Sequence, residues 1–242
     1  MAHSSSSWDT YYGATRTATY GVWSSLPLFV FYETMIVAVN AGAAAPVRIG
    51  AEVWIKDLLS TAGLSGGLTL VAIAVIAAGA AYVRDRGRSI PLRLRYFAGI
   101  IGESALYAIV VALLISRFVS ALYAAAPAPQ GDLWTQLALS IGAGLYEELL
   151  FRVLLVGGLT LLLRLVTDNV GGAYVLAALI GAGLFSLAHY VGPLGDPFAL
   201  PSFTFRFAFG LALNGIFLWR GFGVAAWTHA LYDVMVVTGM FG

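Results

Sequence analysis

Cysteine occurs nowhere in the 242 residues. Its absence removes disulfides, thiolate metal ligands and any cysteine nucleophile together. Charge is nearly as scarce. Asp, Glu, Lys and Arg make up 10% of the chain, where a soluble domain carries about a quarter. With 60% of the residues hydrophobic, that balance excludes a soluble globular domain and points to a polytopic membrane protein. The net charge is only +1 and the basic residues form no long tract, which argues against a nucleic-acid partner. The N-terminal stretch "MAHSSSSWDTYYGATRTATYG" has no apolar core behind a basic segment, so a cleaved signal peptide is not expected. Internal repeats and low-complexity linkers are missing as well. The economical reading is one integral membrane domain over residues 1–242, with residues 1–20 as a polar tail.

What the chain does have is long apolar runs. A membrane span needs about 20 mostly apolar residues, and seven stretches qualify: Val22–Ala45, Leu58–Val83, Tyr96–Val119, Leu133–Leu163, Val170–Tyr190, Phe203–Trp219 and Phe222–Phe241. The second is interrupted near its front by "TAGLSGG" (Thr61–Gly67). Breakers separate the runs at Arg84–Pro91, Ala124–Asp132 and Val191–Ser202. Lipid admits only helices or closed barrels, and runs this long and continuous are helical. The expected fold is therefore an all-α transmembrane bundle of about seven spans, multi-pass in a prokaryotic inner membrane. Five arginines (84, 86, 88, 93, 95) lie between the second and third runs. Placing them in the cytoplasm puts eight basic residues inside and four outside, with the N-terminus inside.

An ionisable residue inside a span costs about 2.5–3.5 kcal/mol on insertion scales, so each is a functional candidate. Here they are Glu33, Glu103, Glu147, Glu148, Arg152, His189, His229 and Asp233. In "GLYEELLFRVLL" (Gly144–Leu155), Glu148 and Arg152 are four apart and share an α-helical face. Glu147 is turned about 100° away from Glu148 on the α-helical period. A buried ion pair that only joins helices would need Glu148 and Arg152 but not Glu147. "FSLAHY" puts Phe185 and His189 on one face, and "HALYD" does the same for His229 and Asp233. Either histidine alone reads as an ordinary interfacial or hydrogen-bonded residue.

Together the three stretches read E-E-x-x-x-R, F-x-x-x-H and H-x-x-x-D on three successive spans. That order resembles the CPBP family of CAAX prenyl protease type II and Abi-type intramembrane endopeptidases, whose motifs are EExxxR, FxxxH and HxxxN or HxxxD. The resemblance runs from Leu133 to about Val237, the expected catalytic core (133–237). It implies an intramembrane endopeptidase that hydrolyses a peptide bond of a membrane-associated or lipidated protein with a glutamate-activated water. Its catalytic set would be Glu147, Glu148, Arg152, His189, His229 and Asp233, with Tyr146 and Phe185 against the substrate. The chain carries Asp233 where the eukaryotic-type pattern has Asn. An ionised carboxylate cannot donate a hydrogen bond, so Asp233 is either protonated or acts by orienting His229.

No cofactor is expected, although Glu147, His189 and His229 are all residue types that bind zinc. The chain has no HExxH, the pattern that sets two histidines on one helical face for that metal. "GLSG" (Gly63–Gly66) matches the nucleophile motif of rhomboid serine proteases, but "THALYD" lacks the glycine of their histidine helix. The alternative class is a proton-coupled transporter or a peptide-binding membrane protein that does not cleave. Transporters usually show repeats and matched broken helices, and neither is found. One expectation is geometrically awkward: along ideal helices Glu147 lies ~21 Å from the start of its span, while His189 sits at the end of its own span on that same side.

Overall fold

The computed structural model describes residues 10–43, 46–65, 67–122, 132–192 and 195–240, and every element among them is helical. In chain order these are α1 (Tyr11–Thr15), α2 (Ala18–Asn40), α3 (Gly50–Thr61), α4 (Gly67–Asp85), α5 (Leu94–Leu122), α6 (Leu133–Gly142), a π-helical segment (Ala143–Val156), α7 (Gly157–Leu163), α8 (Val170–Ala188), α9 (Leu200–Arg220) and α10 (Phe222–Val237). Among the described residues, α2, α8, α9 and Leu94–Ile115 of α5 are each long and apolar enough to cross a membrane. The chain is an integral multi-pass helical bundle.

Large apolar side chains face outward along these helices, Val30, Phe31 and Val37 on α2 and Leu113 and Leu114 on α5 among them. In water such a surface would be a liability; in lipid it is the solvent-matched face. The buried face of α10 is instead rich in small residues. α10 buries Gly223, Val224, Ala225, Ala226 and Ala230, and packs against α2, α5, α6, the π segment and α9. Small side chains let helix backbones approach closely where no hydrophobic effect drives association.

Two stretches differ from the expectation. α2 covers most of the expected span Val22–Ala45, but the chain between it and the next apolar run is more than a loop. A separate twelve-residue helix, α3, occupies Gly50–Thr61, and α4 begins only at Gly67. Gly63, at φ 80°, supports the left-handed turn between them. Residues 11–20, expected within a polar tail, are largely helical. Thr10 and Thr17 cap α1 and α2 by accepting hydrogen bonds from the Gly13 and Tyr20 amides. Tyr11 and Tyr20 then turn their rings onto Tyr96 and Phe97 of α5. Residues 1–9 of the tail, 124–131 of the second breaker segment and Pro193 of the third lie outside the described residues.

Leu133–Leu163 is one continuous rod made of α6, the π segment and α7. Asp132 caps its start by accepting from the Thr135 hydroxyl at 2.5 Å and the Thr135 amide at 3.1 Å. These two donors hold the Asp132 carboxyl below the ordinary carboxylate range. At the other end of the molecule, Gly221 (φ 86°, ψ −178°) lets α9 pass into α10 in a single residue.

Candidate active site

The π segment carries the first motif, and two glycines set where it lies. A Cβ on Gly144 would stand 2.5 Å from Ala230 Cβ and 2.6 Å from Ala226 O, so the segment rests directly on the α10 backbone. A Cβ on Gly142 would collide with the Tyr32 ring of α2. The rod is therefore wedged between α2 and α10 at the level of the two glutamates. A π-helix bonds i to i+5 rather than i+4. The 100° offset expected between Glu147 and Glu148 on an α-helix therefore does not describe this segment.

Glu148 and Arg152 are both buried, at 0% and 1% exposure. Arg152 Nη1 lies 3.0 Å from Glu148 Oε1, an ion pair. The guanidinium nitrogens make no aligned hydrogen bond. The guanidinium carbon of Arg152 sits over the Phe185 ring, 4.4 Å from its centroid. That ring meets Phe151, His189 and His229 edge-on, at 5.3, 5.1 and 6.0 Å between centroids. Phe185 is thus a buried platform joining the first two motifs to the third. A cation over an aromatic face in a dry site is worth about 2 kcal/mol.

The histidines come from different helices and point the same way. His189 caps the C-terminus of α8, and its Nδ1 lies 2.9 Å from the carbonyl of Phe185. A carbonyl only accepts, so Nδ1 carries the proton and neutral His189 presents a lone pair at Nε2. His229 Nδ1 lies 2.7 Å from Glu148 Oε1. Its Nε2 is 3.5 Å from Asp233 Oδ2. The close partner of His229 is therefore Glu148, and Asp233 faces the other nitrogen. Phe209 of α9 packs edge-on at 5.1 Å and fixes the ring from the side.

Glu147 stands between these groups. Its Oε2 is 4.0 Å from His189 Nε2 and 4.0 Å from His229 Nε2, and is buried with no hydrogen-bond partner. Glu148 Oε2 and Thr228 Oγ1 are buried and unpartnered in the same way. All six expected catalytic residues are thus drawn together, the awkward axial offset included. A π segment of fourteen residues is shorter and wider than α-helix of the same length, so it alters the depth of Glu147 relative to α-helical rise.

Tyr146 and Phe185 line the site without offering an open face; both are essentially buried, at 1% and 2% exposure. The Tyr146 hydroxyl donates to Glu33 Oε1 at 3.0 Å. Glu33 lies 4.0 Å from Arg48, which bridges to the fully buried Glu52 of α3 at 2.5 Å. Tyr32 and Lys56 bind the same Glu52 carboxylate. Sequence reading named Glu33 as an intramembrane ionisable but gave no partner for it, and it passed over Glu52 altogether. A carboxylate flanked by Arg48 and Lys56 at i−4 and i+4 was the available signal. A second buried cluster lies elsewhere: Arg220 bonds Glu103 through Nε at 2.5 Å and Nη2 at 2.8 Å, and Nη2 also reaches Thr15 Oγ1 at 2.8 Å. Tyr11 and Tyr107 donate to the same carboxylate. Arg220 is fully buried.

Zinc would need three or more converging donors at about 2.0–2.2 Å from the metal. No group of His, Asp or Glu among the described residues is arranged to hold a metal ion. His229 in particular has a carboxylate facing each ring nitrogen.

Searches of curated proteins and of solved structures returned no match to the chain. A family model does match, over residues 129–235, and its description is Type II CAAX prenyl endopeptidase Rce1-like. The matched segment holds all three motifs and leaves α1–α5 outside it. Over residues 129–235, where all three motifs lie, the chain carries a domain of the Rce1-like type II CAAX prenyl endopeptidase family.

Proposed function

We propose that the protein is a glutamate-dependent intramembrane endopeptidase acting on a membrane-associated or lipidated protein. The observation that carries this reading is Glu147 Oε2, buried, without a hydrogen-bond partner and equidistant from two imidazole nitrogens. Polar atoms 4.0 Å apart are spaced for a bridging water rather than for direct bonding. A carboxylate in such a place is suited to general-base work.

Glu147 takes one proton from the water, and His189 Nε2 accepts a hydrogen bond from the other. The hydroxide adds to the peptide carbonyl carbon. His229, protonated and balanced by Glu148 and Asp233, donates to the oxyanion that forms. Preorganised donation of this kind is commonly the largest single contribution to acyl transfer. As the C–N bond breaks, Glu147 returns its proton to the leaving nitrogen, giving a new carboxylate terminus and a free amine. Arg152 and Phe185 touch no reacting atom; they hold Glu148 and the two rings in place. No step requires a metal.

The test compares membranes from cells making wild-type protein or Glu147→Gln at equal levels. New protein N-termini are enumerated by mass spectrometry. Termini present only with the wild type are expected, on proteins anchored in the membrane. The same termini at the same abundance with Glu147→Gln would overturn the assignment.

A further inference from the structure

Far from the glutamates, α1, the start of α2 and the end of α4 enclose a hollow of about 520 Å³, open on one side. Thr10, Tyr12, Gly13, Arg16, Thr17, Arg84, Asp85 and Arg88 line it. Three arginines around one aspartate leave the wall cationic. That aspartate is already engaged: Asp85 Oδ2 accepts from the Thr19 amide and hydroxyl, both at 2.7 Å, and Oδ1 lies 2.9 Å from Arg88. Arg16 and Arg84 are exposed and make no ion pair among the described residues. Both belong to the wall of the hollow.

The depth of the hollow is fixed by its surroundings. It lies where the apolar helices α2 and α4 end, beside the arginine-rich segment Arg84–Arg95. Tyr12, on the rim, and Tyr82, half a turn before Arg84, are 58% and 71% exposed. Exposed tyrosines at the ends of apolar helices mark head-group level. A concave cationic wall at that depth meets phosphate esters of lipids before any other anion.

From these observations we propose that this hollow binds the phosphodiester head group of an anionic phospholipid, with the phosphate held by Arg16 and Arg84 and bordered by Arg88. Arginine presents a planar fork that matches phosphate oxygens in pairs. The Thr10 and Thr17 hydroxyls border the same space. Because α1, α2 and α4 lie outside the protease domain, the site is separate from the peptide-cleaving centre. A head group bound there bridges α1 to α4, so anionic lipid steadies the N-terminal helices.

The experiment uses the full chain in neutral detergent. Thermal unfolding and native mass spectrometry are followed on adding phosphatidylglycerol, phosphatidylcholine or inorganic phosphate. The variants are Arg16→Gln/Arg84→Gln and a control, Arg86→Gln/Arg164→Gln, which removes equal charge outside the hollow. Wild type and control should bind and be stabilised by phosphatidylglycerol and not by phosphatidylcholine. The first double variant should match the wild-type unfolding temperature without lipid. It should bind phosphatidylglycerol about thirtyfold more weakly, at roughly one surface-arginine contribution per charge removed. Undiminished binding by that variant overturns the proposal. So does equal loss in the control, which would signal diffuse attraction. Equal stabilisation by inorganic phosphate overturns it too, by identifying a free-anion site. None of these outcomes bears on Glu147.

Discussion

The two glutamates of the first motif should part company when each loses its charge. Glu148 is fully buried beside Arg152, which is itself 1% exposed, and it also receives His229 Nδ1 at 2.7 Å. Glu148→Gln therefore leaves a buried guanidinium without its ion-pair partner. Breaking one side of a buried pair costs about 3–5 kcal/mol. For a chain of this length that is a fall of roughly 6–20 °C in unfolding temperature. Glu147 Oε2 has no hydrogen-bond partner, and its histidine neighbours stand at 4.0 Å. Glu147→Gln breaks no hydrogen bond and no contact to a charged partner closer than 4.0 Å, so its stability should stay within about 1 kcal/mol of wild type or rise. The assay is thermal unfolding of purified protein in detergent, with cleavage of a membrane substrate found in the comparison of new termini. Glu147→Gln should be stable and inactive; Glu148→Gln should be unstable and inactive. Equal destabilisation of the two, or an unshifted Glu148→Gln, would refute the division into a working and a supporting glutamate.

Gly144→Ala should cost about 1–3 kcal/mol by overpacking, since its Cβ would press on Ala230 Cβ and Ala226 O of α10; activity should fall with it as His229 shifts from Glu148. Cleavage should survive a strong chelator, since the proposed water activation needs only Glu147 and the two histidines. Stoichiometric zinc that restores activity after chelation would reverse that expectation. Tyr146→Phe should destabilise by about 1 kcal/mol, because Glu33 loses its donor; an unchanged unfolding temperature would show that the bond carries nothing. A cysteine at Ser89, the sole thiol in the chain, should resist impermeant reagents applied outside intact cells.

The helices were legible in the sequence because lipid leaves the backbone no alternative, and an apolar run of twenty residues then has one reading. The motif residues were legible because a charge among leucines is conspicuous: Glu147, Glu148, Arg152, His189, His229 and Asp233 all stand out by type alone. Their angular relations were less so. A π segment and an α-helix can share the same apolar composition, and nothing in "GAGLYEELLFRVLLVGG" spells the change from i+4 to i+5 bonding. That His229 meets Glu148 as well as its own i+4 neighbour Asp233 also depends on how closely α10 meets that segment. Glu33 with Tyr146 and Glu103 with Arg220 join positions 113 and 117 apart, and no local rule selects such partners. α3 was not legible because Glu52, Lys56 and Asp57 leave its apolar residues too few to form a run of their own.

The Arg220–Glu103–Thr15 junction has a consequence for biosynthesis. A ribosome makes Thr15 and Glu103 long before Arg220, which follows Thr15 by 205 positions and Glu103 by 117. Glu103 must therefore enter the bilayer within α5 while its arginine is still unmade. During that interval the carboxylate has only Tyr11 and Tyr107 to bond it. Arrival of Arg220 draws the first helix, the fifth and the ninth into one knot in a single event. A chain halted before that residue carries an acidic group stranded in lipid, the kind of flaw by which membrane quality control can tell an unfinished molecule from a finished one.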